Sequence, residues 1–192
     1  MEEKQFEYRM YYFVPYNISP MQQGIQHKHA ADEFLLTYGR HNPDHMVWEY
    51  MEKHKTTIVL NGGTTNNRFE LGTGTPIGTL NQIVEQLQQN AIEYGFFQEP
   101  DLNDALTAVC FLADERVWNY VDYPDFLNYI LDIKMYQEAR DGMSAQSIVM
   151  LRMKTMEELI VMFPEYHKEW VEFLGGEKNV FLRELIRGKK LA

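Results

Sequence analysis

Cysteine is nearly absent from this chain of 192 residues, since Cys110 is the only one. A disulfide framework is therefore excluded, and we expect Cys110, which lies in an apolar segment, to be a buried core residue. Long hydrophobic runs are also missing, and the chain opens with the acidic residues Glu2 and Glu3. These features predict neither a signal peptide nor a membrane span, so we expect a cytoplasmic protein without a membrane partner.

Positive charge is scarce, since the chain has 18 Lys and Arg residues but 28 Asp and Glu residues, which gives a formal net charge of −10. Residues 1–114 carry most of the excess, with 7 basic against 15 acidic side chains. Bulk charge of this sign makes a long nucleic acid an unfavourable partner. Residues 178–192 hold five basic groups and one acid. They predict either a local basic patch or a solvated helix end whose cations suit the helix dipole.

The spacing of apolar residues predicts strands that alternate with helices up to about residue 114. The strands are expected at 6–14, 56–60, 96–97 and 105–113, and the helices at 21–38, shortly after 44, and from 79 to near 95. Alternation of this kind is typical of an α/β fold with a parallel or mixed sheet covered on both faces. We therefore expect a mixed four-stranded sheet flanked by helices.

The remainder of the chain is helical in pattern. Helices are predicted near 124–140, at 155–174 with a break at Pro164, and at 178–189. The sequence thus predicts an α/β domain at 1–114 and a helical extension at 115–192, packed on that domain or on a partner subunit. We expect a homo-oligomer.

A polar stripe is the first candidate site. On the predicted first helix, Gln22, Gln26 and His29 are spaced four and three residues apart, so they share one face, either as a site or as a solvated surface. His27 lies about 200° from His29 around the helix, which excludes ligation of one metal ion by both side chains. We expect no metal and no cofactor.

A polar loop follows the second predicted strand and is the second candidate. Its residues are Asn61, Gly62, Gly63, Thr64 and Thr65. Glycines let backbone N–H groups converge on an anion, and threonine hydroxyls add donors, so the loop predicts phosphate or ribose contacts. An ordinary Gly-Gly turn is the alternative.

Carboxylates cluster between the third and fourth predicted strands, at Glu99, Asp101 and Asp104. Strand ends of an α/β sheet form ligand crevices, so one carboxylate can serve as a general base there, with Asn103 and Thr107 as ligand contacts. Turn formation and capping are the alternative role of these residues.

The segment around Gln26, His29 and Ala30 resembles the Ala-Ala-Gln-x-x-His-Ala signature of type II peptidyl-tRNA hydrolases, and the resemblance extends over residues 6–114. It implies that fold and carries over Gln26, His29 and Asp101 as site residues. Gln22 stands where the family has a catalytic lysine. The overall pattern also resembles small proteins of bacteriophage genomes.

Three functions remain open on this basis. The first is a phage-type protein that binds, and cleaves or sequesters, a small nucleotide such as a cyclic immune signal, in a pocket of the first helix and the polar loop. As a metal-independent hydrolase it would use His29 or Asp101 as base, with Gln22 beside them. The second is cleavage of the ester in peptidyl-tRNA. The third is a non-catalytic interaction module whose helical extension presents hydrophobic anchors, namely Phe163, Trp170, Phe173 and Phe181.

Overall fold

The structure is a computed structural model that describes residues 5–135 and 145–192. The chain divides into two compact units. The sheet unit comprises Met1–Glu115 with Ile186–Ala192, and the helical unit comprises Arg116–Leu185. The candidate stripe, polar loop and carboxylate cluster all lie in the sheet unit.

The sheet has four strands in the order β2-β1-β4-β3. Their bounds are Tyr8–Pro15 for β1, Thr56–Gly63 for β2, Gly95–Glu99 for β3 and Ala105–Asp114 for β4. β1 runs parallel to β2, and β4 runs antiparallel to both β1 and β3. The predicted mixed four-stranded α/β architecture is therefore confirmed. Because β4 alone is reversed, the ends of β1, β2 and β3 meet the start of β4 at one edge, here called the carboxyl edge.

Helix α1 spans Pro20–Phe34 and starts near this carboxyl edge. It packs on one face of the sheet, where Ala30 and Phe34 join a core with Tyr12 and Cys110. A helix is predicted to run to residue 38. The α-helical part ends at Phe34, and residues 35–39 continue it as a π-helical turn. Cys110 is fully buried and donates its thiol proton to the carbonyl of Ala30, which confirms its predicted core position.

Helix α3, Thr79–Gln89, covers the opposite face. The side chains of Leu80 and Phe13 both lie next to Gly62 of β2. Phe13 alternates along β1 with Tyr12, which faces α1, so α3 is on the other face. The intervening helix α2 spans Met46–Glu49 and continues as a π-helical turn through residue 54.

The two outer strands of the sheet differ in what lies beside them. β2 pairs with the C-terminal residues, since Asn61 donates its N–H to the carbonyl of Lys190 and Ala192 donates to that of Val59. β3 is the other outer strand and pairs with β4. The basic C-terminus is thus partly held as a strip of backbone beside β2.

The described residues of the helical unit form a series of short helices. Their bounds are Glu115–Trp118 (α4, which begins one residue before the unit), Phe126–Asn128 (α5), Ala145–Arg152 (α6), Met156–Met162 (α7), Pro164–Phe173 (α8) and Glu177–Ile186 (α9, which ends one residue after it). The predicted break at Pro164 is confirmed, whereas residues 136–140 of the helix expected near 124–140 lie outside the described residues. Trp170 is buried and donates its indole N–H to the carbonyl of Pro124, so this suggested anchor is a core residue of the unit. None of the described helices is long and apolar enough to span a bilayer.

Candidate functional site

Gln26 is the centre of a hydrogen-bonded group at the carboxyl edge. The side chain is 6% exposed, although it belongs to a polar residue. Its Nε2 donates to Oε2 of Glu99 across 2.6 Å, and its Oε1 accepts a proton from the Thr107 hydroxyl, also across 2.6 Å. We call Gln26, Glu99 and Thr107 the Gln26 cluster. It links α1 to the end of β3 and the start of β4, and it fixes the rotamer of the buried amide.

A β-bulge brings Thr107 into this cluster. The register pairs Phe97 with Ala108 but Gln98 with Leu106, so Thr107 is an extra residue on β4. Strict alternation would direct Thr107 to the α3 face, opposite to Ala108. The bulge turns its hydroxyl toward α1 instead. Sequence periodicity carries no signal for this change.

His29 lies beside the cluster on the same helix. Its ring is half-buried and stacks on Phe97 with centroids 4.5 Å apart. Among the described residues, neither ring nitrogen of His29 has a hydrogen-bond partner. His27 differs, because its Nδ1 is 3.1 Å from the carbonyl oxygen of Gln23 and its ring meets Tyr12 edge-on. Both rings thus pack on an aromatic side chain, but of the two only His27 also has a polar contact among the described residues.

Gln22 has a structural role that its position in the stripe did not predict. Its amide oxygen accepts a hydrogen bond from the N–H of Ser19, and its own N–H donates to the Ser19 hydroxyl. This capping box satisfies the first turn of α1. The spacing Ser-x-x-Gln is visible in the sequence and is the signal that reveals it.

The predicted polar loop begins later than expected, because residues 61–63 form the end of β2 and only Thr64 and Thr65 lie beyond the strand. The segment 61–65 is held by its own hydrogen bonds and by α3. The N–H of Gly63 donates to the Asn61 side chain, and the N–H of Thr64 donates to the hydroxyl of Thr79. The hydroxyl of Thr65 is 3.5 Å from Oδ1 of Asn81. Two of the amides that a phosphate cradle would use thus have acceptors within the chain. The ligand role of residues 61–65, Gly62 included, stays a prediction.

The stripe and the loop do not come together as one group. The Gln26 cluster lies on the α1 face of the sheet, whereas the loop bonds to α3 on the other face. Asp101 and Asn103 are exposed in the connection between β3 and β4, where Asn103 adopts a left-handed conformation with φ of 55°. Of the three predicted carboxylates, Glu99 is the one that contacts Gln26, and it is the last residue of β3.

A groove runs along β3 next to the cluster. Its volume is about 410 Å³, and its walls are Glu33, Thr37, Tyr38 and residues 94–98. Glu33 lies one helical turn after His29, and Phe97 is shared between the groove and the histidine. We call this the α1 groove. The described residues include no group of three or more potential metal ligands.

Comparison with other proteins adds no homology to this description. No protein-family model matches the chain, and the search of curated proteins finds no significant match.

Proposed function

We propose that the protein binds a small nucleotide at the Gln26 cluster and the adjoining α1 groove. The observation that carries the proposal is the juxtaposition of a fixed, buried amide with a histidine whose nitrogens are unengaged among the described residues. Both stand at the strand ends where α/β sheets commonly hold ligands. A volume of about 410 Å³ falls in the range of small-molecule sites.

The chemistry of the lining favours the base and the ribose over the phosphate. Glu33 of the lining and Glu99 of the Gln26 cluster offer carboxylate oxygens, which accept hydrogen bonds from ribose hydroxyls and exocyclic amino groups. Phe97 and the ring of His29 provide flat surfaces beside the groove. A phosphate would be repelled by these carboxylates, so it faces outward and meets at most His29.

His29 is the side chain expected to respond to the ligand. A neutral imidazole offers one donor and one acceptor, and an imidazolium offers two donors. In either form the ring can donate a hydrogen bond to an outward-facing phosphate. If the nucleotide is hydrolysed, His29 or Glu99 is the base, without a metal.

Retention of a cyclic nucleotide would suit a phage-type protein that removes an immune signal from its host. The resemblance to phage proteins and to peptidyl-tRNA hydrolases motivates this role, in which a pocket for the end of a tRNA holds a smaller ligand.

The proposal is tested by incubating the protein with a panel of cyclic and linear nucleotides, including cyclic dinucleotides and cyclic ADP-ribose. Ultrafiltration separates bound from free ligand, and mass spectrometry follows both fractions. Loss of free ligand with intact recovery after heat denaturation indicates sequestration, whereas appearance of a product indicates cleavage. If every member of the panel stays free and intact, the proposal is wrong.

Ester hydrolysis of peptidyl-tRNA is the second candidate, and the contact between Gln26 and Thr107 favours it. That contact joins the glutamine of the resembled motif to the first hydroxyl of the last strand. Glu99 is then the carboxylate beside the substrate. Turnover of a peptidyl-tRNA with a steep decrease at higher salt would support this reading. Inactivity at all salt concentrations would eliminate it.

A further inference from the structure

A hairpin-like flap covers part of the α3 face of the sheet unit. In residues 68–77, the N–H of Glu70 donates to the carbonyl of Thr75 across 2.8 Å, and the N–H of Ile77 donates to that of Arg68 across 2.9 Å. The turn contains Gly72 and Gly74, both with positive φ. The flap therefore has strand-like legs and a tight tip.

Two side chains of α3 hold the legs of the flap. Asn81 accepts the N–H of Asn66 and donates to the side chain of Asn67, each across 2.8 Å. Gln82 donates to the carbonyl of Pro76 across 2.7 Å. The flap is thus fixed to the helix by hydrogen bonds of the chain itself, as expected of a preformed site.

A second groove of about 410 Å³ lies between the flap, α3 and β3. We call it the flap groove. Two phenyl rings in its lining remain accessible, since Phe69 of the flap is 64% exposed and Phe96 of β3 is 43% exposed. The other lining residues are Asn67, Pro76, Asn81, Val84, Glu85, Gln88, Gln98 and Leu106. Exposed aromatic rings that share one concave surface mark a binding surface more often than single exposed residues do.

The lining combines these rings with side-chain amides. Gln88 and Gln98 each carry a side-chain donor and an acceptor, and the amide nitrogen of Asn67 is a further donor, whereas Asn81 is used to hold the flap. Glu85 is the only charged residue in the described lining. Amides of this kind match the ring nitrogens, carbonyls and amino groups of a heterocycle, and phenyl rings match its flat faces. A phosphate or carboxylate would find no cation in this lining.

We propose that the flap groove binds a flat, uncharged heteroaromatic ring, such as a nucleobase or nucleoside. The flap groove meets the α1 groove at β3, because Phe96 and Gln98 belong to the lining of both. Phe69 and the α3 residues line the flap groove alone, whereas Glu33, Thr37 and Tyr38 line the α1 groove alone.

The test is a calorimetric titration with adenosine, guanosine, cytidine and uridine, which carry no phosphate. We expect saturable binding of at least one nucleoside, which Phe69→Ala weakens about tenfold or more. Leu71→Ala is the matched control, because Leu71 is a fully exposed residue of the same flap and lies outside the lining.

Photo-crosslinking provides a second readout that does not depend on the folding of a variant. An azido-substituted form of the bound nucleoside should label the flap peptide covering residues 67–76. Labelling confined to α1, equal effects of Phe69→Ala and Leu71→Ala, or no binding of any nucleoside up to about 1 mM would each overturn the proposal.

Discussion

The hydroxyl of Thr107 donates to the amide oxygen of Gln26 across 2.6 Å and joins two buried side chains that are 81 residues apart. This hydrogen bond ties the first helix to the bulge at the start of the last strand. The effect of removing it on the free energy of unfolding therefore tests whether the Gln26 cluster forms in solution.

Thr107→Val keeps the volume of the side chain and removes the hydroxyl. We expect a loss of about 1–3 kcal/mol in the free energy of unfolding, because the Gln26 oxygen stays buried without its donor. Gln26→Met combined with Thr107→Val should restore part of this loss, with a coupling of about 1 kcal/mol in a double-mutant cycle followed by urea denaturation. Strictly additive effects would show that the two side chains do not interact.

Glu99 and Asp101 are expected to differ in their contribution to nucleotide binding. Glu99→Gln preserves an acceptor for Gln26, so the fold should persist, but the nucleotide loses a charged acceptor. We expect its dissociation constant to rise about fivefold or more, since hydrogen bonds to charged groups are the stronger ones. Asp101→Asn, at an exposed position of the same connection, should change it less than about twofold. The reverse order in calorimetry would assign the site to Asp101.

Two glycines with positive φ test the anchoring of the polar loop. Gly63 has a φ of 80°, and an added Cβ would lie 2.0 Å from the hydroxyl oxygen of Thr79. Gly72 has a φ of 93° and nothing within 4 Å of that position. Gly72→Ala should therefore cost only the backbone strain, about 1–2 kcal/mol. Gly63→Ala should lower the melting temperature clearly further, and equal melting temperatures would contradict this packing.

Burial raises the pKa of the Cys110 thiol from its ordinary value of 9.0 to about 12. The folded protein thus holds this proton more tightly than the unfolded chain. The thiol's contribution to stability is present below pH 9 and is lost as the pH rises toward 12, with a slope of at most about 1.4 kcal/mol per pH unit. Cys110→Ala should flatten this decrease in denaturation curves recorded from pH 8 to 11. Parallel pH profiles for both proteins would contradict the raised pKa.

Most strands and helices of the chain follow from local patterns in the sequence. Alternating or continuous apolar residues mark β1 and β4, and Pro164 marks the break between two helices, because each of these signals acts within a few residues. The capping box is also predictable, because the spacing Ser19-x-x-Gln22 is the local signal for it.

The composition of the site depends on contacts between distant residues. Thr107 reaches Gln26 only through the bulge against β3, and alternation alone points it to the other face. The hydroxyl of Thr79 accepts the N–H of Thr64, fifteen residues away. This N–H of the expected anion-binding loop therefore has an acceptor within the chain. Such pairings are set by register and packing, for which a single sequence has no local signal.

The most direct measurement compares His29→Ala with His27→Ala in calorimetric titrations of the nucleotide retained in the mass-spectrometric screen. His29→Ala should weaken binding at least tenfold, or about 1.4 kcal/mol, with a melting temperature close to that of the unsubstituted protein. His27→Ala should bind normally but melt earlier, because it loses the contacts with Tyr12 and Gln23. Equal affinities for the two variants, or a His29→Ala defect that unfolding explains entirely, would contradict a nucleotide site at His29 and the Gln26 cluster.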